Sequence, residues 1–164
     1  MTILKKSIKF LITLFVLVGL SLYSNFAFSA GGFGGQDEVS LYKSGKKLVL
    51  RAKKLEEKDK VEKAKKLYLK AYDKFEKAYN KDKKNADILN YLGYTLRKTG
   101  NLEQAETYYL KGLELDSKHL GINEYLGELY VQTNRIELAK KRLEVLSGCN
   151  CEEYEELKEL IEKK

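Results

Sequence analysis

Apolar residues recur along most of this chain at intervals of three and four, the spacing that places them on one face of a helix. Leu48, Ala52 and Leu55 form one such stripe, and Ala64, Tyr68 and Ala71 form the next. The second stripe runs on for about two further helical turns through Tyr72, Phe75, Ala78 and Tyr79. Leu92, Leu96, Tyr109 and Leu113 continue the pattern, and Tyr154, Leu157 and Ile161 close it. The interior has no regularly spaced Val, Ile and Thr runs bounded by turn clusters, so strands are not expected. Proline, the strongest helix breaker, is absent. The pattern predicts an all-α protein of antiparallel helices.

One apolar stretch follows a different rule. Lys5, Lys6 and Lys9 precede an uncharged run from Phe10 to Leu22, no acidic residue occurs before Asp37, and Ala27-Phe28-Ser29-Ala30 sets small residues at a cleavage spacing. This three-part pattern predicts a signal peptide over residues 1–30, cut after Ser29 or Ala30. A glycine-rich flexible leader is expected over residues 31–40. A membrane-spanning helix needs about 20 apolar residues, and Ser21, Ser24 and Asn25 interrupt the run where its second half should be. The mature chain is therefore expected to leave the cytoplasm without stable membrane insertion. An uncleaved signal anchor, tethering it to the membrane, is the alternative.

The helical stripes also repeat. Leu92-Gly93 returns as Leu126-Gly127, Ala105 as Ala139 and Tyr109 as Leu143, each after 34 residues. Residues 86–119 carry Leu89, Leu92-Gly93, Leu96, Ala105 and Tyr109 at the offsets of the 34-residue tetratricopeptide pattern, and so resemble a tetratricopeptide repeat (TPR). Residues 120–153 resemble a second. The resemblance implies a TPR α-solenoid of helix pairs. It would comprise a degenerate hairpin over 41–85 with an extended second helix, repeats at 86–119 and 120–153, and a cap helix over 151–164. Gly93, Gly127, Ala105 and Ala139 are expected where two helices approach closely. Gly100 and Asn134 are expected at left-handed inter-helix turns. Asn150 is expected to cap the last helix, with Glu155, Glu156, Glu159 and Glu162 facing water.

The resemblance also implies a binding face. In the family the concave surface is lined mainly by the first helix of each repeat. Carried over, that face comprises Lys46, Val49 and Lys53, then Asp87, Asn90, Tyr94, Arg97 and Lys98, then Glu124, Glu128, Val131 and Gln132. Tyr94 and Arg97 are the expected anchors, being the residue types that dominate interface energetics. The implied partner is a protein or peptide segment. Tyr91 and Tyr125 stand where the family's carboxylate clamp has asparagine, so capture of a terminal carboxylate is not expected.

Charge and chemistry narrow this further. The formal net charge is +7, distributed unevenly: residues 43–84 hold 17 Lys/Arg against 7 Asp/Glu, and residues 85–164 hold 11 against 15. The lysines alternate with glutamates instead of tracking one groove, so nucleic acid is not an expected partner. No nucleophile, base and orienting group assemble around the single histidine, His119, so no catalytic residue is assigned. No phosphate-binding glycine loop follows a strand, and neither a cofactor nor a metal site is expected. Cys149 and Cys151, the two cysteines, leave three readings open: a local disulfide, free or intermolecular thiols, or a redox or metal role. Cys151-Glu152-Glu153-Tyr154 with Leu157 is similar to the C-terminal end of small secreted TPR proteins of Gram-negative bacteria, which implies a periplasmic home. The leading expectation is a non-enzymatic adaptor. The alternatives are a thiol or metal protein acting through the cysteines, and an envelope scaffold self-assembling as a homo-oligomer through Tyr72, Phe75 and Tyr79.

Overall fold

The computed structural model describes residues 33–164, and the expected signal peptide lies outside the described residues. The compact unit spans Gly34–Lys164. Seven helices follow one another: α1 (Phe33–Glu56), α2 (Val61–Tyr79), α3 (Ala86–Thr99), α4 (Leu102–Leu115), α5 (Leu120–Gln132), α6 (Ile136–Leu146) and α7 (Glu152–Glu162). The described residues contain no strand, and none of their helices is long and apolar enough to cross a membrane. The helices form an α-solenoid of antiparallel pairs, α1/α2, α3/α4 and α5/α6, with α7 packed on both helices of the last pair.

Local chemistry sets the helix boundaries. Asn85 caps α3 by accepting from the Ile88 amide, and Asn101 caps α4 by accepting from the Gln104 amide. His119 caps α5 in the same way, its Nδ1 accepting from the Ile122 amide. Each cap satisfies one of the amides that a helix start leaves without an internal partner. The turns inside the three hairpins share one geometry. Asp59, Gly100 and Asn134 all have positive φ, at 55°, 95° and 58°. These three residues hold the same place in their hairpins, so the first hairpin turns as the two clear repeats do.

What makes the first hairpin atypical is a matched extension of both its helices. Ala52 occupies the small-residue position that Gly93 holds in the next repeat, and Tyr68 corresponds to Tyr109. Phe75 lies seven residues beyond Tyr68, and Gly45 lies seven residues before Ala52. In an antiparallel pair these two positions meet. Phe75 is fully buried, and a Cβ on Gly45 would fall 2.6 Å from its ring. The two extra turns of α2 thus need cover from extra turns of α1. The chain is helical from Phe33, where a flexible leader was expected, because a nucleated helix propagates cheaply.

The core has two parts. One gathers Val49, Ala52, Tyr68, Phe75, Ile88 and Leu92, and the other Ala105, Tyr109, Ile122, Leu126, Leu146 and Leu157. Tyr72, Tyr108 and Tyr125 pack against both and join them. Phe75 is stacked on Tyr91 at 4.9 Å, and Tyr79 meets the edge of Tyr108 at 6.2 Å. The aromatics that suggested self-assembly through α2 are therefore occupied within the chain, which removes the premise of that expectation.

Two details of the C-terminal end also differ from expectation. Asn150 does not cap α7: it takes a left-handed φ of 48°, and Cys151 stands at the cap without a side-chain bond. The chain must reverse within a few residues after α6, and the left-handed Asn150 turns it just ahead of the extended cap residue Cys151. Gly127 does not admit its own hairpin mate; the side chain it makes room for is Leu157 of α7.

Candidate functional site

Helices α1, α3, α5 and α7 bring tyrosines together in one groove. Three adjoining hollows of about 460, 80 and 140 Å³ share Tyr125 as a common wall. Tyr42 and Tyr91 line the largest, edge to face at 5.6 Å, while Tyr91 and Tyr94 line the smallest. Tyr94 meets Tyr125 at 4.8 Å and Tyr68 at 5.8 Å. Burial pushes the hydroxyls of Tyr42, Tyr91, Tyr94 and Tyr125 above the usual phenol range. They remain protonated and neutral in any physiological medium.

The groove is electrically polar. Its α1 wall is basic: Lys46 sits over the rings of Tyr42 and Tyr91 at 5.3 and 5.8 Å, and Lys53 over Tyr94 at 5.3 Å. Such contacts hold a cation against the ring quadrupole. The opposite wall is acidic. Glu124 of α5 and Glu152, Glu153 and Glu156 of α7 line the third hollow together with Lys53 and Tyr125. Glu124 is only 3% exposed. Burial first, then the hydrogen bond with Glu156 and the charges of Glu128, Glu156 and Glu153, push its carboxyl up to about 9. Oxygens of Glu124, Glu128 and Glu156 lie within 4.8 Å of one another.

The structure divides the residues that the sequence assigned to this face. Lys46, Val49, Lys53, Asp87, Asn90, Tyr94 and Glu124 line the three hollows. Arg97, Lys98, Glu128, Val131 and Gln132 do not line them. Val131 is 2% exposed and belongs to the core. Lys98 bridges to Glu56 at 2.8 Å, and Gln132 is exposed at the end of α5. The two expected anchors are internal supports. Tyr94 is 4% exposed, wedged between Tyr68 and Tyr125. Arg97 is ion-paired to Glu128 at 2.7 Å and lies over the rings of Tyr94 and Tyr125. A side chain so enclosed stiffens the groove floor and offers a partner little surface.

Sequence reasoning missed Tyr42 and the α7 glutamates. Tyr42 lies in the extension of α1, outside the 34-residue register. Glu156 reads as part of the wet face of a cap helix, and its direction, like that of Glu153 one turn before it, depends on how α7 docks. His119 also borders the largest hollow, its Nε2 3.3 Å from Asp87. Because its Nδ1 accepts an amide, the proton sits on Nε2 and is donated to that carboxylate, a structural arrangement. Cys149 and Cys151 are disulfide-bonded, their Cα atoms 5.2 Å apart, in the turn between α6 and α7. Of the three readings left open, the local disulfide is the one present.

Repeated helix pairs around a shared groove define a helical-repeat scaffold of the kind that mediates protein–protein interaction. Residues 48–118 match the family model described as tetratricopeptide repeat, and this segment belongs to the tetratricopeptide-repeat family. That match spans the atypical first hairpin as well as the repeat at 86–119. A comparison with curated proteins gave no match. Among solved structures, a chain of the CopN–Scc3 complex is similar at TM-score 0.56 and 24% identity, over 85% of this chain and 78% of that one. The second TPR domain of human RPAP3, in complex with an HSP70 peptide, aligns at TM-score 0.51 and 19% identity, over 77% of this chain and 99% of its own. The Arabidopsis OM64 TPR domain aligns at TM-score 0.50 and 14% identity, over 75% and 98%. These likenesses are of fold.

Proposed function

We propose that this chain is an exported, non-enzymatic adaptor that docks a segment of a partner protein in the tyrosine-lined groove. The observation that carries the reading is the groove itself. Tyr42, Tyr91 and Tyr125 offer broad, neutral, weakly hydrated faces, while a basic and an acidic wall fix the direction of an incoming chain. The related RPAP3 domain was solved with a peptide bound, in keeping with peptide docking as a use of this fold. Export rests on the leader sequence, and the periplasm is the compartment we assign.

Photo-crosslinking in the native cell tests the docking. A photoreactive residue at Lys46 should capture a partner that one at the exposed, convex Leu110 does not. With the probe kept at position 46, Tyr125→Ala with Lys53→Glu should abolish that capture. Equal capture from both faces, or capture that survives the double variant, would sink the reading. Sequencing the N-terminus of the purified chain tests export: the expected first residue is Ala30 or Gly31, and an intact Met1 would mean an uncleaved anchor.

A further inference from the structure

We propose that the groove selects for a basic residue: a Lys or Arg side chain of the docked segment lies along Tyr125, with its cationic head between Glu124, Glu153 and Glu156. The proposal deepens the docking reading above and rests on it. The acidic wall lacks a cation of its own. Among the described residues, no lysine or arginine is in ion-pair contact with Glu124, Glu153 or Glu156. Lys53, the basic residue nearest in the lining, is turned onto the ring of Tyr94. Glu128 is already committed to Arg97, and the remaining glutamates offer acceptors for one organic cation.

A second, independent feature points to the same chemistry. Asn90 is 94% buried (6% exposed), lines the largest hollow together with Glu124 and Glu153, and its Oδ1 has no hydrogen-bond partner. A buried acceptor left unpaired carries a desolvation penalty that an incoming N–H donor relieves. The unsatisfied Asn90 oxygen accepts hydrogen bonds, as ionised carboxylates do, and a guanidinium or ammonium is the group that donates them. The aromatic wall supplies the rest, since Lys and Arg stems pack along apolar faces while their heads stay polar.

The charge state agrees. Glu124 faces Glu128 on its own helix, Glu153 and Glu156 from α7, and Lys53 from α1, and its raised pKa keeps it protonated at neutral pH. A cation entering the cluster takes the place of that proton, so binding releases a proton and tightens as pH rises toward 9.

The test selects peptides from a displayed random library on the full chain, purified as the cell processes it, and synthesises those enriched. The expected result is enrichment of Lys or Arg at one position. Replacing that residue by norleucine, or making Glu124→Gln or Glu156→Gln, should weaken binding roughly tenfold or more. Glu156 is exposed, so Glu156→Gln keeps the test clear of folding effects. Enriched peptides that need Tyr125 but show no basic preference would overturn this proposal and leave groove docking standing. A library that enriches nothing sensitive to Tyr125→Ala would remove both. Calcium ions that displace the peptide by occupying the glutamates would also overturn it, assigning the cluster to a metal.

Discussion

Leu157, on the last helix, fills the space that Gly127 leaves on α5 by having no side chain. This contact seats α7 against the final repeat and so carries the acidic wall of the groove into place. Gly93, one repeat earlier, makes room for its own hairpin mate Tyr109, and there a Cβ would fall 2.5 Å from a fully buried aromatic ring. The two glycines should therefore respond differently to alanine, which favours the helix by about 1 kcal/mol over glycine. Gly127→Ala meets the end of a leucine, which moves readily, and its net effect should stay within about 1 kcal/mol. Gly93→Ala meets a ring held on all sides and should cost about 1–3 kcal/mol in spite of the helical gain. Leu157→Ala should cost about 2–5 kcal/mol. Urea midpoints of the three variants check the order; equal costs for the two glycine variants would refute the distinction.

Glu124 predicts how stability depends on pH. Its carboxyl is raised to about 9 in the folded chain, against about 4.3 in an unfolded one. Between those values the folded state binds the proton and the unfolded state does not. Its contribution is thus fully present below about pH 4.3 and is lost as pH rises toward 9, at up to about 1.4 kcal/mol per pH unit. Glu124→Gln removes the titration and should flatten this slope. Thermal melting of both proteins from pH 5 to 8 is the measurement, and parallel slopes would refute the assignment.

The periodic part of this architecture was legible in the sequence. Helix pairs follow from stripes at three and four residues, and the positive φ at Gly100 and Asn134 follows from residue types that tolerate it. The extension of α2 was legible, but the matching extension of α1 was not read, although Gly45 and Phe75 stand seven residues outside Ala52 and Tyr68, on opposite sides. The groove was half legible. Repeat register names the helix face on which Tyr94, Arg97 and Val131 lie, but how deep each side chain sinks depends on the neighbouring helix. The α7 glutamates escaped for a related reason. A cap helix has no repeat partner to fix its angle, and Glu156 reaches Glu124 only because Leu157 docks over Gly127.

Arg135 and Glu106 tie adjacent repeats by two parallel hydrogen bonds, of 2.9 and 2.8 Å. The guanidinium also lies 4.5 Å from the centre of the Tyr130 ring. Both groups are partly exposed, so the coupling should be modest, about 0.5–1 kcal/mol. A double-mutant cycle with Arg135→Ala and Glu106→Ala measures it. Arg135→Lys should recover little, because an ammonium matches neither the paired geometry nor the stacking. Full recovery by lysine would show that charge alone matters at this junction.

The disulfide between Cys149 and Cys151 closes a ring across one intervening residue. A loop so short removes little freedom from the unfolded chain, about 1–2 kcal/mol on the entropic account. The docking of α7, by contrast, depends on Leu157, Leu160 and Ile161 packing on the core, which the bond does not supply. Cys149→Ser with Cys151→Ser should therefore lower stability slightly and loosen residues 147–151. It should leave α7 and the groove in place. Hydrogen exchange reports this directly: faster exchange confined to the turn is the expected outcome, and loss of protection along α7 would mean that the bond holds the cap helix. Thiol alkylation of the native chain should label neither cysteine until a reductant is added. Labelling without reductant would revive a role for free thiols.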